Sequence, residues 1–284
     1  MKNQDAVILN GELVQENQAV VSPFNRGMMY GDGCFETIRS YSGKFLGWEM
    51  RFDRLKGGLD YLDIDIPFTS QELEEQILSL LDKNKLSKVD AMIRLQCWRK
   101  GGQGYTPSSS KADWMIQASS LSKNENPIDL VLAETRCIPS EALERKYKLS
   151  NGLNYIKAAQ EARRKSGDDA LMLTVKGKIS ETTSANIFWI MGDKVFTPAA
   201  ECDLLPGVTR SIVIDVIQSL GIGFEEGVYD LEAIEEAEVV FCTNSLKEIS
   251  VVQRLDEQIF EVSHPLTQKI ETGFKQFKEK ELQA

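Results

Sequence analysis

Lys148 and Glu181 stand in the stretch from Lys148 to Phe188, KLSNGLNYIKAAQEARRKSGDDALMLTVKGKISETTSANIF, in which chemistry-bearing residues recur at suggestive intervals. Lys148 stands three residues before Asn151 and ahead of an amphipathic helical pattern. Glu181 opens the polar run Glu181-Thr182-Thr183-Ser184-Ala185-Asn186 between two apolar strand patterns. An amine that serves as nucleophile and base, with a carboxylate at that remove, can bracket an aromatic cofactor. Taken alone, a lysine is most often a solvated surface group.

Two further segments offer anion cradles. Leu205-Pro206-Gly207-Val208-Thr209-Arg210 runs from a turn into a helix, where unpaired backbone N–H groups at Val208 and Thr209 meet the positive end of the helix dipole. An ordinary helix start reads the same way. Thr243-Asn244-Ser245 ends a strand, presenting hydroxyls at the carboxyl edge of a sheet. No GxxxxGK[ST] loop occurs, and Gly31-Asp32-Gly33 lacks the third glycine of a dinucleotide fingerprint, so nucleotide hydrolysis and NAD chemistry are disfavoured. A small phosphorylated cofactor held by two cradles, an arginine, a lysine and a glutamate is pyridoxal phosphate. The lysine carries it as a Schiff base, the carboxylate keeps the pyridine nitrogen protonated, and the phosphate anchors fix the ring plane.

The elements that must position these groups follow from periodicity. Asn10-Gly11 between Ala6–Leu9 and Glu12–Val14 predicts an opening β-hairpin, and Cys34–Tyr41 a strand. Phe52, Leu55, Leu59 and Leu62 lie at helical spacing; Leu73, Ile77, Leu80 and Leu81 repeat it after Thr69, with Glu72 completing a capping box. Val89–Trp98 and Ala112–Ala118 read as strands, completing an α+β first domain over residues 1–118. The polar stretch 119–127 predicts a linker. Residues 128–284 then alternate strands (Asp129–Glu134, Ala170–Val175, Asn186–Met191, Glu238–Thr243) with helices at Asn154–Lys165, Val208–Leu220 and Pro265–Lys280, a mixed α/β second domain.

Composition narrows the function classes. A net charge of −10, from 33 basic against 43 acidic residues, opposes attraction to nucleic acid or anionic lipid, so any anion site is local. No apolar run is long enough to span a bilayer, and the start, MKNQDAVILNGELV, lacks the unbroken apolar segment of an export signal, which predicts a cytoplasmic protein. Cys34, Cys97, Cys137, Cys202 and Cys242 are widely spaced with no CxxC, predicting buried free thiols and no metal. The single histidine, His264, precedes Pro265 at a helix start, so Ser-His-Asp and His-rich metal chemistry are unavailable.

The run Arg26-Gly27-Met28-Met29-Tyr30-Gly31-Asp32-Gly33-Cys34-Phe35-Glu36-Thr37-Ile38-Arg39 resembles the RG-x-x-x-GDG-x-FET-x-R segment of class IV aminotransferases. That family, of fold type IV among pyridoxal-phosphate enzymes, includes branched-chain and D-amino-acid aminotransferases and the aminodeoxychorismate lyases of folate synthesis. The likeness covers nearly the whole chain. Asp53-Arg54-Leu55 is similar to its phosphate-arginine helix, Lys148 with Asn151 to its Schiff-base segment, Ile179-Ser180-Glu181 through Asn186-Ile187-Phe188 to its pyridine-nitrogen segment, and Leu205–Arg210 to its LPG[IV]TR turn. The resemblance implies an α/β enzyme of two domains with the cofactor between them, working as a homodimer. It assigns Lys148 to catalysis, Glu181 to the pyridinium nitrogen, and Arg54, Val208, Thr209 and Ser245 to phosphate. Arg51 stands where many relatives have histidine; Lys146 and Lys157 fall at the wrong spacing to compete with Lys148.

Two reactions fit the resemblance. Transamination moves an amino group between an amino acid and a 2-oxo acid; the lyase reaction releases 4-aminobenzoate and pyruvate from aminodeoxychorismate. Thr37, the Gly101–Pro107 loop and Thr243-Asn244-Ser245-Leu246 resemble the lyases. Gln103, where the lyase-like loop carries arginine, and Lys247-Glu248-Ile249-Ser250 resemble the aminotransferases, and the reading puts transamination first. Gln103 loses a charge-assisted fork for a substrate carboxylate, worth about 1.5–3 kcal/mol. Tyr30, Thr37, Arg39, Arg94, Arg99 and Gln103 are the candidate substrate contacts, with surface salt bridging the alternative for each arginine. A pyridoxal-phosphate-binding protein without turnover is a third reading. The handedness of the amino donor is not legible in the residues.

Overall fold

The computed structural model describes residues 5–121 and 127–283. Contacts divide the chain into two compact units: Met1–Ser122 with Tyr147–Asn151, and Lys123–Lys146 with Gly152–Ala284. Sequence order alone puts Lys148 in the second unit. The structure places it in the first, because the segment around Lys148 pairs with a strand there.

The first unit is built on strands β1 (Ala6–Leu9), β2 (Glu12–Gln15), β3 (Gly33–Tyr41), β4 (Lys44–Phe45), β5 (Ala91–Arg99) and β6 (Ala112–Ser120). They form one antiparallel sheet in the order β2-β1-β6-β5-β3-β4. Asn10-Gly11 makes the hairpin turn, both residues with positive φ (52° and 86°). Helix α1 (Arg26–Tyr30) precedes β3 and stops at Gly31, whose left-handed backbone (φ 67°) suits glycine. Helices α2 (Trp48–Tyr61) and α3 (Ser70–Lys83) cover one face of the sheet, and α3 starts in the capping box Thr69–Glu72 that its sequence predicts.

Alternation along β3 then divides its side chains in two. Cys34, Glu36, Ile38 and Ser40 are buried, while Phe35, Thr37 and Arg39 are half-buried. Partner residues share a face, so Arg94, opposite Thr37, joins the Phe35–Thr37–Arg39 row. Leu149 bridges Cys34, and the Phe35 N–H donates to the Lys148 carbonyl (3.0 Å), which lays Lys148 beside the start of β3.

Residues 119 and 120 of the expected linker belong to β6, paired with Met92 and Ala91, because the ladder outlasts the apolar pattern. Residues 122–126 of that linker lie outside the described residues.

The second unit contains β7 (Ile128–Leu132), α4 (Leu153–Arg164), β8 (Asp169–Leu173), β9 (Ile179–Thr182), β10 (Asn186–Met191), β11 (Lys194–Pro198), α5 (Val208–Ser219), β12 (Gly223–Gly227), α6 (Glu232–Glu235), β13 (Val239–Asn244), β14 (Glu248–Leu255), β15 (Gln258–Ile259) and α7 (Pro265–Glu281). The sheet runs β12-β11-β10-β13-β14-β7-β8-β9, with β9 returning to pair β10. The strands from β10 round to β9 therefore close on themselves, and the closing rung is Glu181 opposite Asn186. The β7–β8, β7–β14 and β11–β12 pairs are parallel and the others antiparallel, giving a mixed α/β unit. Its core packs Leu130, Leu171, Ile187, Trp189, Val240 and Val252 together.

All five cysteines are buried and free. Burial pushes the Cys34 and Cys137 thiols up to about 12 and Cys202 up to about 11, so these are packing residues. His264 caps α7, its Nδ1 accepting from the Leu266 N–H. Among the described residues no helix is long and apolar enough to cross a membrane, and no cluster of His, Cys, Asp and Glu is arranged to hold a metal ion.

Candidate active site

In the first unit, Phe35 is the organising ring. Lys148 Nζ lies 4.6 Å from its centroid and the Arg94 guanidinium carbon 3.5 Å from it. Arg94 also donates to Thr37 Oγ1 (3.1 Å). Desolvation holds the Arg94 pKa below its ordinary value, with the charge of Glu36 acting against that shift. Strands β3 and β5 and the Lys148 segment therefore bring an amine, a guanidinium and a hydroxyl to one aromatic ring.

Arg54 is oriented by a partner that the sequence reading missed. Its Nε and Nη2 donate to the two carboxylate oxygens of Glu36, each at 2.8 Å, with Glu36 1% exposed. Such a fork fixes the guanidinium plane. Arg51, in the place of the expected histidine, is buried and donates to the carbonyl of Leu46 (3.1 Å); burial lowers its pKa to about 10.

Three of the expected substrate contacts bond groups of the scaffold. Arg99 is 5% exposed and donates to Asp32 (3.0 Å) and to the carbonyls of Asp63, Ser109 and Leu62, so every guanidinium nitrogen serves the loops around it. Arg39 pairs with Asp90 at the sheet rim (2.6 Å), the salt-bridge alternative. The Tyr30 hydroxyl accepts from the Gly104 N–H (3.0 Å), and Arg26 donates to the Gly104 carbonyl (2.8 Å). Together they anchor the Gly101–Pro107 loop, on which Gln103 stands exposed.

In the second unit, Glu181 is 5% exposed and both its oxygens are engaged. Oε1 accepts from the Tyr155 hydroxyl (2.6 Å), and Oε2 from the Leu205 N–H (3.1 Å) and Asn186 Nδ2 (3.3 Å). Arg145 Nη2 lies 4.0 Å from Oε1 and also donates to the Tyr155 hydroxyl oxygen. The turn after Glu181 is held by Asp169, which accepts from the hydroxyls of Thr182, Thr183 and Ser184. That is why the polar run ETTS sits between two apolar strands.

The same residues aim an anion cradle. Asn186 Nδ2 also donates to the Leu205 carbonyl (2.8 Å), pinning the turn that leads into α5. Gly207 caps α5 with no side chain on its first N–H groups, and Val208 and Thr209 open the helix, each 4% exposed. A Cβ on Gly207 would stand 2.2 Å from Asn186 Oδ1. Across the ladder from Asn186, Thr243 Oγ1 is buried without a hydrogen-bond partner. In the following turn, Asn244 Oδ1 accepts from the Leu246 and Lys247 N–H groups (3.0 and 2.8 Å), fixing the loop that carries Ser245. A buried carboxylate, a helix N-terminus without side-chain caps and an orphaned hydroxyl in one unit fit a phosphorylated, nitrogen-containing ring.

The Amino-transferase class IV family model matches residues 33–255. The chain belongs to the class IV aminotransferases. Pyridoxal phosphate is the cofactor of this family, and the fold is that of fold-type IV enzymes. A provisionally named branched-chain-amino-acid aminotransferase of Methanocaldococcus jannaschii is 32% identical, over 96% of each chain. The aminodeoxychorismate lyase of Bacillus subtilis is 28% identical over 88% of this chain and 87% of its own. The branched-chain aminotransferase of Thermoproteus uzoniensis, crystallised with norvaline, superposes with a TM-score of 0.91 at 27% identity, over 96% of this chain and 94% of its own.

Gly207→Ala tests the tie between cradle and carboxylate. The added methyl displaces Asn186 and with it a donor to Glu181, so pyridoxal phosphate binding is expected to weaken by about tenfold or more. Equilibrium titration of the cofactor-free protein measures it, and wild-type affinity in the variant would refute the coupling.

Proposed function

We propose that the chain is an aminotransferase that passes an amino group between an amino acid and a 2-oxo acid by ping-pong turnover. The observation that carries this reading is the pairing of Lys148 and Arg94 over Phe35, with Thr37 bonded to Arg94. Arg94 supplies a desolvated guanidinium for a substrate carboxylate, and such a site takes amino acids and 2-oxo acids alike.

Bound pyridoxal phosphate supplies an electron sink for the substrate Cα. Lys148 would hold the cofactor covalently, and its Nζ would take the substrate Cα proton. Glu181 would pair with the ring nitrogen. Val208 and Thr209 would offer backbone N–H groups to phosphate, with Ser245 and Arg54 as the other proposed anchors. A homodimer is part of the proposal, supported by the exposed apolar side chains of Val20, Phe24 and Met28.

The lyase reading is favoured by the anchored glycine loop and by the likeness to the Bacillus lyase. One experiment separates the two. With glutamate, the purified enzyme is expected to convert its bound cofactor to the amino form and release 2-oxoglutarate. With aminodeoxychorismate it is expected to release no 4-aminobenzoate. Release of 4-aminobenzoate and pyruvate, without a glutamate half-reaction, would overturn transamination in favour of the lyase.

A further inference from the structure

Tyr155 is a half-buried phenol that neither the motif pattern nor the roles above employ. Its ring packs against a cluster of Val131, Ala133, Cys137, Ala158, Ala162, Ala170 and Met172, which leaves the hydroxyl little freedom of aim. That hydroxyl donates to Glu181 Oε1 at 2.6 Å and accepts from Arg145, which is itself 4% exposed. Guanidinium, phenol and carboxylate thus form a directed chain ending on the carboxylate oxygen opposite the one that Asn186 and Leu205 hold.

We infer that Tyr155, supported by Arg145, is a positioning residue that keeps the negative charge on Glu181 and so keeps the proton on the nitrogen of the bound cofactor ring. The inference rests on the reading that Glu181 faces that nitrogen. A donor hydrogen bond and a nearby cation both favour the charged form of a carboxylate, whereas burial alone favours the neutral acid. If Glu181 were neutral, the ring nitrogen would lose its proton and the ring its capacity as an electron sink. Tyr155 stays a donor because its own ionisation is disfavoured, by burial first and then by the adjacent charge of Glu181. The same charge is felt at Cys137, whose thiol is pushed up to about 12 chiefly by burial, with Glu181 the next cause.

The consequence is a discrimination that a merely structural tyrosine would not give. A charged Glu181 opposite a ring that carries N–H gains a charge-assisted hydrogen bond; opposite a ring with C–H in that place it is left buried without that partner. A neutral Glu181 distinguishes the two rings far less. Tyr155→Phe keeps the ring packing and deletes only the hydroxyl.

Wild type and Tyr155→Phe are each loaded with pyridoxal phosphate or with its 1-deaza analogue, and the release rate of each is followed by absorbance after dilution. The covalent link to Lys148 and the phosphate contacts are common to both probes and cancel in the ratio. Wild type is expected to hold pyridoxal phosphate about tenfold longer than the analogue or more, and Tyr155→Phe to bring that ratio within about twofold. If Tyr155→Phe releases both probes faster but keeps the wild-type ratio, Tyr155 is structural and the inference fails while the Glu181 reading stands. If wild type itself does not distinguish the probes, the reading of Glu181 fails and takes the inference with it.

Discussion

Lys148→Ala is expected to lower turnover by about 10⁴-fold and to abolish the visible absorbance band of the bound cofactor, while leaving the thermal unfolding of the cofactor-free protein close to that of wild type. The separation of the two effects follows from how the segment is held. What Tyr147–Asn151 contributes to the first unit is backbone pairing: the Lys148 carbonyl accepts from the Phe35 N–H, the Ser150 N–H donates to the Gly33 carbonyl, and Leu149 fills the buried side at 4% exposure. The Lys148 side chain, half-buried over Phe35, adds a cation–ring contact worth about 0.5–1 kcal/mol at a site of that exposure. In the proposed reaction an amine has no substitute, because one nitrogen would be both the covalent anchor and the base. A variant that keeps the visible band and turns over within about tenfold of wild type would transfer both roles to another lysine.

The elements were legible in the sequence wherever one local rule sufficed. Alternation located β3 and the helical spacing located α2, α3 and α7, each within a few residues of its ends. The capping box and the hairpin turn were read from four residues or fewer. Long-range pairing was not legible. Lys148 joins the first unit through a bridge between Cys34 and Leu149, far apart in sequence, which no periodicity encodes. The same holds for the partners of the motif residues. Glu36 lies inside the FET run yet gives no sign that it forks Arg54, and Tyr155 looks like one more aromatic on an amphipathic helix. Arg99 is the converse case: a guanidinium that satisfies loop carbonyls and one that awaits a carboxylate are the same letter, and only burial with named acceptors tells them apart.

Glu181→Gln tests whether the carboxylate acts through charge or through shape, since the two side chains are nearly isosteric. Every protein group bonded to Glu181 in the network described is a donor: the Tyr155 hydroxyl, Asn186 Nδ2 and the Leu205 N–H. A carboxylate accepts at both oxygens, but an amide accepts at one and donates at the other. With its NH₂ toward Asn186 and Leu205, two donors face a third. With its NH₂ toward Tyr155, the phenol must accept from the amide while Arg145 already donates to it. Neither orientation restores the network, so a cost of about 1–3 kcal/mol in stability is expected, read as a lower denaturant midpoint at unchanged slope. Arg145, buried and 4.0 Å from Oε1, also loses its negative partner. The kinetic effect is expected to be larger. If Glu181 pairs with the ring nitrogen as proposed, removing its charge should slow the single-turnover reaction with glutamate by about 10²-fold or more, while the proposed phosphate anchoring at Val208 and Thr209 keeps the cofactor bound. A variant that loses stability yet reacts within about threefold of wild type would leave Glu181 with a packing role alone and move the support of the ring nitrogen to another group.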